Sequence, residues 1–173
     1  MNITPAGLGE FRLVREFYDS IIDAMEDAPY HPAWKKGVYP SNEELAAAIR
    51  KEQLYLLTLD WSTLGAMIVN QQHNEGYRQI VWPSGADPDE ALVIHALGVH
   101  PAYQRHGCGK SMVEWVINHA RLNGYKVVRL DVLKGNLPAE RLYESLGFQK
   151  AADIPMYYPD TGWTNFLLYE YQV

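Results

Sequence analysis

The sequence predicts a mixed α/β domain, and three observations predict it. Apolar runs of strand length recur at 54–59, 64–69, 91–99 and 126–133. Amphipathic stretches of helix length stand before and between them. From residue 91 onward the order is strand, helix, strand, helix, strand, which requires at least one parallel crossover with antiparallel pieces around it. A chain of 173 residues is most simply one domain, 1–173, long enough to build a full hydrophobic core.

Each element has its own signal. Residues 10–26 carry Val14, Phe17, Tyr18, Ile21, Ile22 and Met25 at helical spacing on one face. The stretch 'APYHPAWKKGVYP' (28–40), rich in proline and aromatic residues, reads as a loop. Ser41 followed by Glu44 forms a capping box, so a second helix is expected from Asn42 to about Lys51. 'LYLLTL' and 'LGAMIV' are two strands joined by a tight turn at Asp60-Trp61-Ser62, and the polar segment 71–90 is a hairpin loop leading into the strand 'ALVIHALGV' (91–99). Pro101 stops that strand. A helix from about Gly107 to Asn123 buries Met112, Val113, Val116, Ile117 and Ala120, and Gly124 caps it. 'KVVRLDVL' (126–133) is a short strand, and 'NLPAERLYESLGF' (136–148) a short helix with Ala139, Leu142, Tyr143 and Leu146 on one face. 'FQKAADIPMYY' and 'NFLLYEYQV' are two closing strands.

Composition narrows the function. A net charge of −6 with no lysine or arginine run gives no sign of a nucleic-acid protein, and none is expected as a partner. Cys108 is the one cysteine, so no internal disulfide forms and a reducing, cytoplasmic setting is expected. The N-terminus has no basic start with an apolar run behind it, so no signal peptide is expected, and no apolar run approaches the ~20 residues of a membrane span. The six histidines show no metal-ligand spacing, so no metal is expected.

One stretch carries chemistry. 'VHPAYQRHGCGKSM' ends in Gly109-Lys110-Ser111, the tail of a nucleotide-binding P-loop, but that loop needs its first glycine at position 104, where this chain has Gln104. A triphosphate site therefore fails on spacing. What remains is Gln104-x-x-Gly107-x-Gly109 running straight into an amphipathic helix. Two glycines let a ligand approach the backbone, and the helix's first amides lack internal partners, an arrangement suited to a diphosphate. Arg105, His106 and Lys110 add positive charge. A plain strand-to-helix turn would use the same glycines.

That loop after a strand, followed by helix, strand and 'NLPAERLYESLGF', resembles the GNAT superfamily of N-acetyltransferases, and the match covers about 91–150. The resemblance implies an acyl-CoA N-acyltransferase fold: a central mixed sheet of about six to seven strands, about four flanking helices, and a splayed strand pair, here 91–99 and 126–133, that holds CoA. It implies acetyl-CoA as donor and a primary amine of a small molecule or peptide as acceptor. Residues Gln104 to Gly109 correspond to the loop that holds the CoA pyrophosphate, Cys108 within it, with Lys110 and Ser111 opening the helix. Leu97 and Val99 correspond to strand positions pairing with the pantetheine arm, and Gly98 between them fits a close approach of ligand to backbone.

Asn136 corresponds to a contact on the same arm, although Asn before Leu-Pro-Ala is also a good helix N-cap. Tyr143 corresponds to the general acid beside the sulfur; the competing reading is a core tyrosine. The family often carries a glutamate on the strand before the loop, and His95 stands there in this chain. Imidazole is a suitable proton acceptor at neutral pH. By alternation His95 shares a face with Val93 and Leu97 and could equally be a core residue. Trp34, Tyr39, Tyr157 and Tyr158 are candidates to line the acceptor site. A CoA-binding module without turnover is the competing function. The apolar 'NFLLYEYQV' suggests a homodimer through a free strand edge.

Overall fold

The computed structural model describes residues 1–26 and 28–173. Seven strands form one sheet in the order β1-β2-β3-β4-β5-β7-β6. They are β1 (Asn2–Pro5), β2 (Leu54–Leu59), β3 (Ser62–Asn70), β4 (Ala91–Val99), β5 (Val127–Leu133), β6 (Gln149–Tyr158) and β7 (Gly162–Gln172). The α-helices are α1 (Phe11–Met25), α2 (Asn42–Arg50), α3 (Cys108–Leu122) and α4 (Leu137–Ser145). Every neighbouring strand pair is antiparallel except β4 and β5, which α3 connects as a parallel crossover. Among the described residues no helix is long and apolar enough to cross a membrane.

The helices cover the two faces of the sheet. Met112, Val113, Val116 and Ala120 of α3 are fully buried against Leu92, Ile94, Val128 and Leu130. On the opposite face Val14, Tyr18 and Ile21 of α1 and Leu45 and Ile49 of α2 pack on Leu54, Leu56 and Ala66. The capping box that starts α2 forms as expected: Glu44 N–H donates to Ser41 Oγ at 3.1 Å, and Ser41 N–H to Glu44 Oε2 at 2.7 Å.

Two expectations about strands change. The N-terminal strand β1 gave no periodic signal, because it is only four residues long and ends in Pro5; it exists because β2 offers it an edge. The strand containing 'NFLLYEYQV' is not an edge. As β7 it lies between β5 and β6, hydrogen-bonded on both sides, so the homodimer expected from its free edge loses its basis.

The decisive local feature is a bulge in β4. Ala96 has φ +48°, left-handed for a residue with a side chain, and the register with β3 slips between Ala66 and Ile68. The buried hydroxyl of Tyr18 donates to the Ala96 carbonyl at 2.8 Å and holds the bulge. One extra residue swaps the faces. Leu92 and Ile94 before it, and Leu97 and Val99 after it, all pack toward α3, so His95 does not share a face with Leu97 as simple alternation implied. Beyond the first three pairs, Ala91–Val127, Leu92–Val128 and Val93–Arg129, strands β4 and β5 no longer bond. They splay, and the gap opens in the middle of the sheet.

Candidate active site

The groove on the α3 side of the gap is built by the exit of β4. Gly107 is the N-cap of α3 at φ +81°, a left-handed turn that a side chain would disfavour, and no side chain caps the helix. Its first amides are therefore left for a ligand, where the helix dipole favours an anion. The groove has a volume of about 500 Å³. Leu97, Gly98 and Val99 form its strand wall, Gln104, Arg105, Gly107, Cys108, Gly109 and Lys110 its loop end, and Asn136 its α4 wall. Arg105 (φ +63°) turns with the loop, and Gln104 Nε2 donates to the Val99 carbonyl at 3.3 Å. Cys108 is buried beneath the loop, packed in the core.

Two expected contacts sit differently. His106 is exposed and outside the groove, its Nδ1 2.8 Å from the Gln104 carbonyl, and Ser111 does not line it. Gly98 lines the groove and also has a packing reason for being glycine: a side chain there would stand 2.9 Å from Ile21 Cδ1 and 3.4 Å from Trp34, so α1 and the loop carrying Trp34 fill that space.

Between β4 and β5 the groove continues into a gap lined by His95, Ala96 and Leu97 on one side and Asp131, Val132 and Leu133 on the other. Asn136 belongs to both the groove and the gap. His95, Tyr39 and Tyr158 belong to both the gap and a cavity of about 420 Å³ that opens toward α2. Groove, gap and cavity thus form one passage through the sheet. Asn136 is the N-cap of α4 by position, yet its side chain makes no capping bond, which leaves the amide free to face the passage.

Tyr143 projects from α4 into the gap. It is buried, packed against Phe148 and Tyr169, and its hydroxyl takes no hydrogen-bond partner among the described residues. Burial, with the Asp131 charge adding to it, pushes its pKa well above the usual phenol value, so it is a protonated donor at neutral pH.

Facing it is a group that reading the sequence did not single out. Asp131 on β5 accepts hydrogen bonds from the hydroxyls of Tyr77 at 2.8 Å and Tyr158 at 2.9 Å, both at Oδ2. Its Oδ1 has no protein partner among the described residues and borders the gap. Burial raises its pKa to about 6, against which the two tyrosine hydroxyls pull down. His95 has moved the other way. Its Nε2 lies 3.0 Å from Asn70 Oδ1, and burial first, with the nearby His73 charge, depresses its pKa to about 4. At neutral pH His95 is neutral and the weaker base of the two.

The aromatic walls are Trp34, Tyr39 and Tyr158, with ring centroids 6.1 Å and 5.6 Å apart in sequence. Tyr157 is not among them. Alternation along β6 turns Tyr158 inward and Tyr157 outward, where it is 53% exposed beside Trp163. Asp160, in the β6–β7 turn, is a second unforeseen acid in the gap. Asp131 did carry a sequence signal, as the lone acid in the otherwise apolar 'LDVL'; Asp160 in 'PDTG' reads only as a turn residue.

The fold and this passage define an acyl-CoA N-acyltransferase architecture, and comparison places the chain. Residues 19–148 match the acetyltransferase (GNAT) family, and the chain belongs to that family. The [ribosomal protein bS18]-alanine N-acetyltransferase of Escherichia coli (strain K12) is 40% identical over 73 residues, 42% of this chain and 49% of that protein. The chain therefore spans about half the length of the curated relatives it matches most strongly. A GNAT-family acetyltransferase from Listeria monocytogenes superposes with a TM-score of 0.76 at 15% identity, covering 99% of this chain and 94% of that one. The Salmonella typhimurium protein yncA, solved with its cofactor acetyl-CoA, superposes with a TM-score of 0.70 at 20% identity, covering 99% and 93%. Both structural matches establish the fold.

Proposed function

We propose that this protein is an acetyl-CoA-dependent N-acetyltransferase that moves the acetyl group directly to a primary amine held on the far side of the sheet. The observation that carries this reading is the passage itself: Asp131, with one carboxylate oxygen free of protein partners among the described residues, and Tyr143, with a phenol likewise free, both line the gap that borders groove and cavity. A module that only bound CoA would have no use for a cavity behind the thioester or for this acid–base pair.

The residues present fit acetyl-CoA. The uncapped start of α3 at Gly107, with Gln104, Arg105 and Lys110 beside it, suits a pyrophosphate, and the unpaired edge of β4 at Leu97 and Val99 suits the amide groups of the pantetheine arm. Bound acetyl-CoA supplies the acyl group as a thioester, whose thiol of pKa ~8.5 is a tolerable leaving group.

The chain must do the rest. An alkyl ammonium of pKa ~10.4 is about one part in two thousand neutral at pH 7, a handicap of roughly 4–5 kcal/mol. Asp131 Oδ1 takes the proton from the amine nitrogen, with Oδ2 anchored by Tyr77 and Tyr158. Tyr143 donates a hydrogen bond to the sulfur as the carbon–sulfur bond breaks. His95 positions Asn70 and shapes the wall rather than accepting the proton.

The test has two stages. Calorimetry should show acetyl-CoA binding, with ATP and dephospho-CoA as controls. Release of free thiol should then follow when a panel of primary amines is added. Absence of acetyl-CoA binding in a folded sample sinks the reading.

A further inference from the structure

The acceptor side of the passage carries a charge pattern that acetyl transfer itself does not require. Four carboxyl groups line it: Asp131 and Asp160 in the gap, Glu43 and Glu44 in the cavity beyond. None of the four is in an ion pair among the described residues. Lys51, the one lysine or arginine lining either space, is exposed at the opposite end of α2. Asp131 has a task as the base, and Glu44 closes the capping box of α2. Asp160 has neither. It is 5% exposed, and its carboxylate is met only by backbone N–H groups, its own and that of Thr161, the latter donating to Oδ1 at 3.0 Å. Oδ2 has no protein partner among the described residues, while the residue borders the gap. Exposed Lys35 favours its ionised form and Glu44 opposes it, but no cation is in an ion pair with it among the described residues. A buried carboxylate so weakly compensated is unfavourable unless a cation arrives with the ligand.

Taking the acetyltransferase reading as its ground, we infer that the acceptor is an amine bearing a second positive charge, with Asp160 holding that charge and Glu43 and Glu44 drawing it in while Asp131 receives the proton of the reacting nitrogen. The aromatic walls suit the same ligand. Trp34, Tyr39 and Tyr158 offer ring faces to an ammonium group and apolar surface to a methylene chain between two charges. An acceptor carrying a carboxylate close to its amine would meet four like charges and be rejected.

The experiment measures thiol release at saturating acetyl-CoA from four acceptors: a straight-chain diaminoalkane, the monoamine of equal length, the ω-amino carboxylate of equal length, and an alanine-headed peptide. The diamine should show a kcat/KM about tenfold or more above the monoamine, the scale of one charge-assisted hydrogen bond, with the amino carboxylate lowest. Asp160→Asn keeps the shape and the Thr161 bond, and should raise KM for the diamine about tenfold, so the diamine-to-monoamine ratio falls toward one. Calorimetric binding of the diamine to the unsubstituted protein and to the Asn variant should show the same ratio without turnover. Equal rates for diamine and monoamine overturn the inference, as does a ratio that survives Asp160→Asn. Turnover confined to the peptide overturns it and leaves acetyl transfer standing. Acetyl-CoA that binds with no release from any of the four also overturns it, whereas failure to bind acetyl-CoA removes the ground beneath it.

Discussion

At the scale of single residues the site is a matched pair of displaced pKa values. Tyr143 is held as an acid by burial, and Asp131 is lifted to about 6 without losing its charge at pH 7. Tyr143→Phe should lower kcat about ten- to a hundredfold while leaving the acetyl-CoA dissociation constant within about twofold, by calorimetry and steady-state kinetics. Asp131→Asn should lower kcat/KM by about a hundredfold or more. On the proposed mechanism the unsubstituted protein should lose activity as pH falls through about 6, because Asp131 then holds a proton; the Asn variant should lack that limb. The same shift has a stability consequence. The folded protein binds the Asp131 proton more tightly than the unfolded chain, whose carboxyl titrates near 3.8, so Asp131 lowers stability progressively from about pH 4 to pH 6 and fully above it. Asp131→Asn should therefore leave the protein as stable at pH 7, or more stable by on the order of 1–3 kcal/mol, in urea unfolding. A motif led sequence reading to Tyr143, which lines the gap. It left His95 open between proton acceptor and core residue, because position along a strand does not encode environment: burial takes the His95 pKa down and the Asp131 pKa up.

At the scale of elements, most of the framework was legible because each element carries its own punctuation. The capping box of α2, the apolar stripe of α3 and the glycine after it were all readable locally. What local signals do not encode is a change of register. The bulge at Ala96 coincides with the hydrogen bond that the buried Tyr18 hydroxyl donates to the Ala96 carbonyl, a contact 78 residues apart in the chain. Tyr18→Phe removes that bond from a fully buried site and should destabilise the fold by about 1–2 kcal/mol in denaturant unfolding. It should also raise KM for acetyl-CoA, since Leu97 and Val99 take their aim from the bulge. Gly107→Ala tests the other wall. A side chain at φ +81° costs about 1 kcal/mol, and weaker acetyl-CoA binding should exceed what that loss of stability explains.

At the scale of the whole molecule, the polar segment before β4 is tied to the sheet by one buried network. Arg129 Nε donates to Glu170 Oε2 at 2.9 Å, Arg129 Nη2 to the Ala86 carbonyl at 2.8 Å, Ser84 N–H to Glu170 Oε1 at 2.9 Å, and the guanidinium lies 4.2 Å from the Trp82 ring centre. Removing one partner strands the other charge, so Glu170→Ala should destabilise by about 3–5 kcal/mol. Trp82 also donates to the Tyr77 carbonyl, so the same variant should loosen the tyrosine that anchors Asp131 and lower kcat beyond the loss of folded protein. The splay between β4 and β5 reaches further. Among the described residues three strand pairs, with the Lys126 N–H bond to the Glu90 carbonyl beside them, stitch the four-stranded half of the sheet to the three-stranded half. If acetyl-CoA lies in that seam as proposed, it works as mortar, its backbone-like amides completing a lattice the polypeptide leaves open. Deuterium uptake at 97–99 should then slow sharply when acetyl-CoA is added, and melting temperature should climb with its concentration, so that the cohesion of the fold follows the supply of acetyl groups.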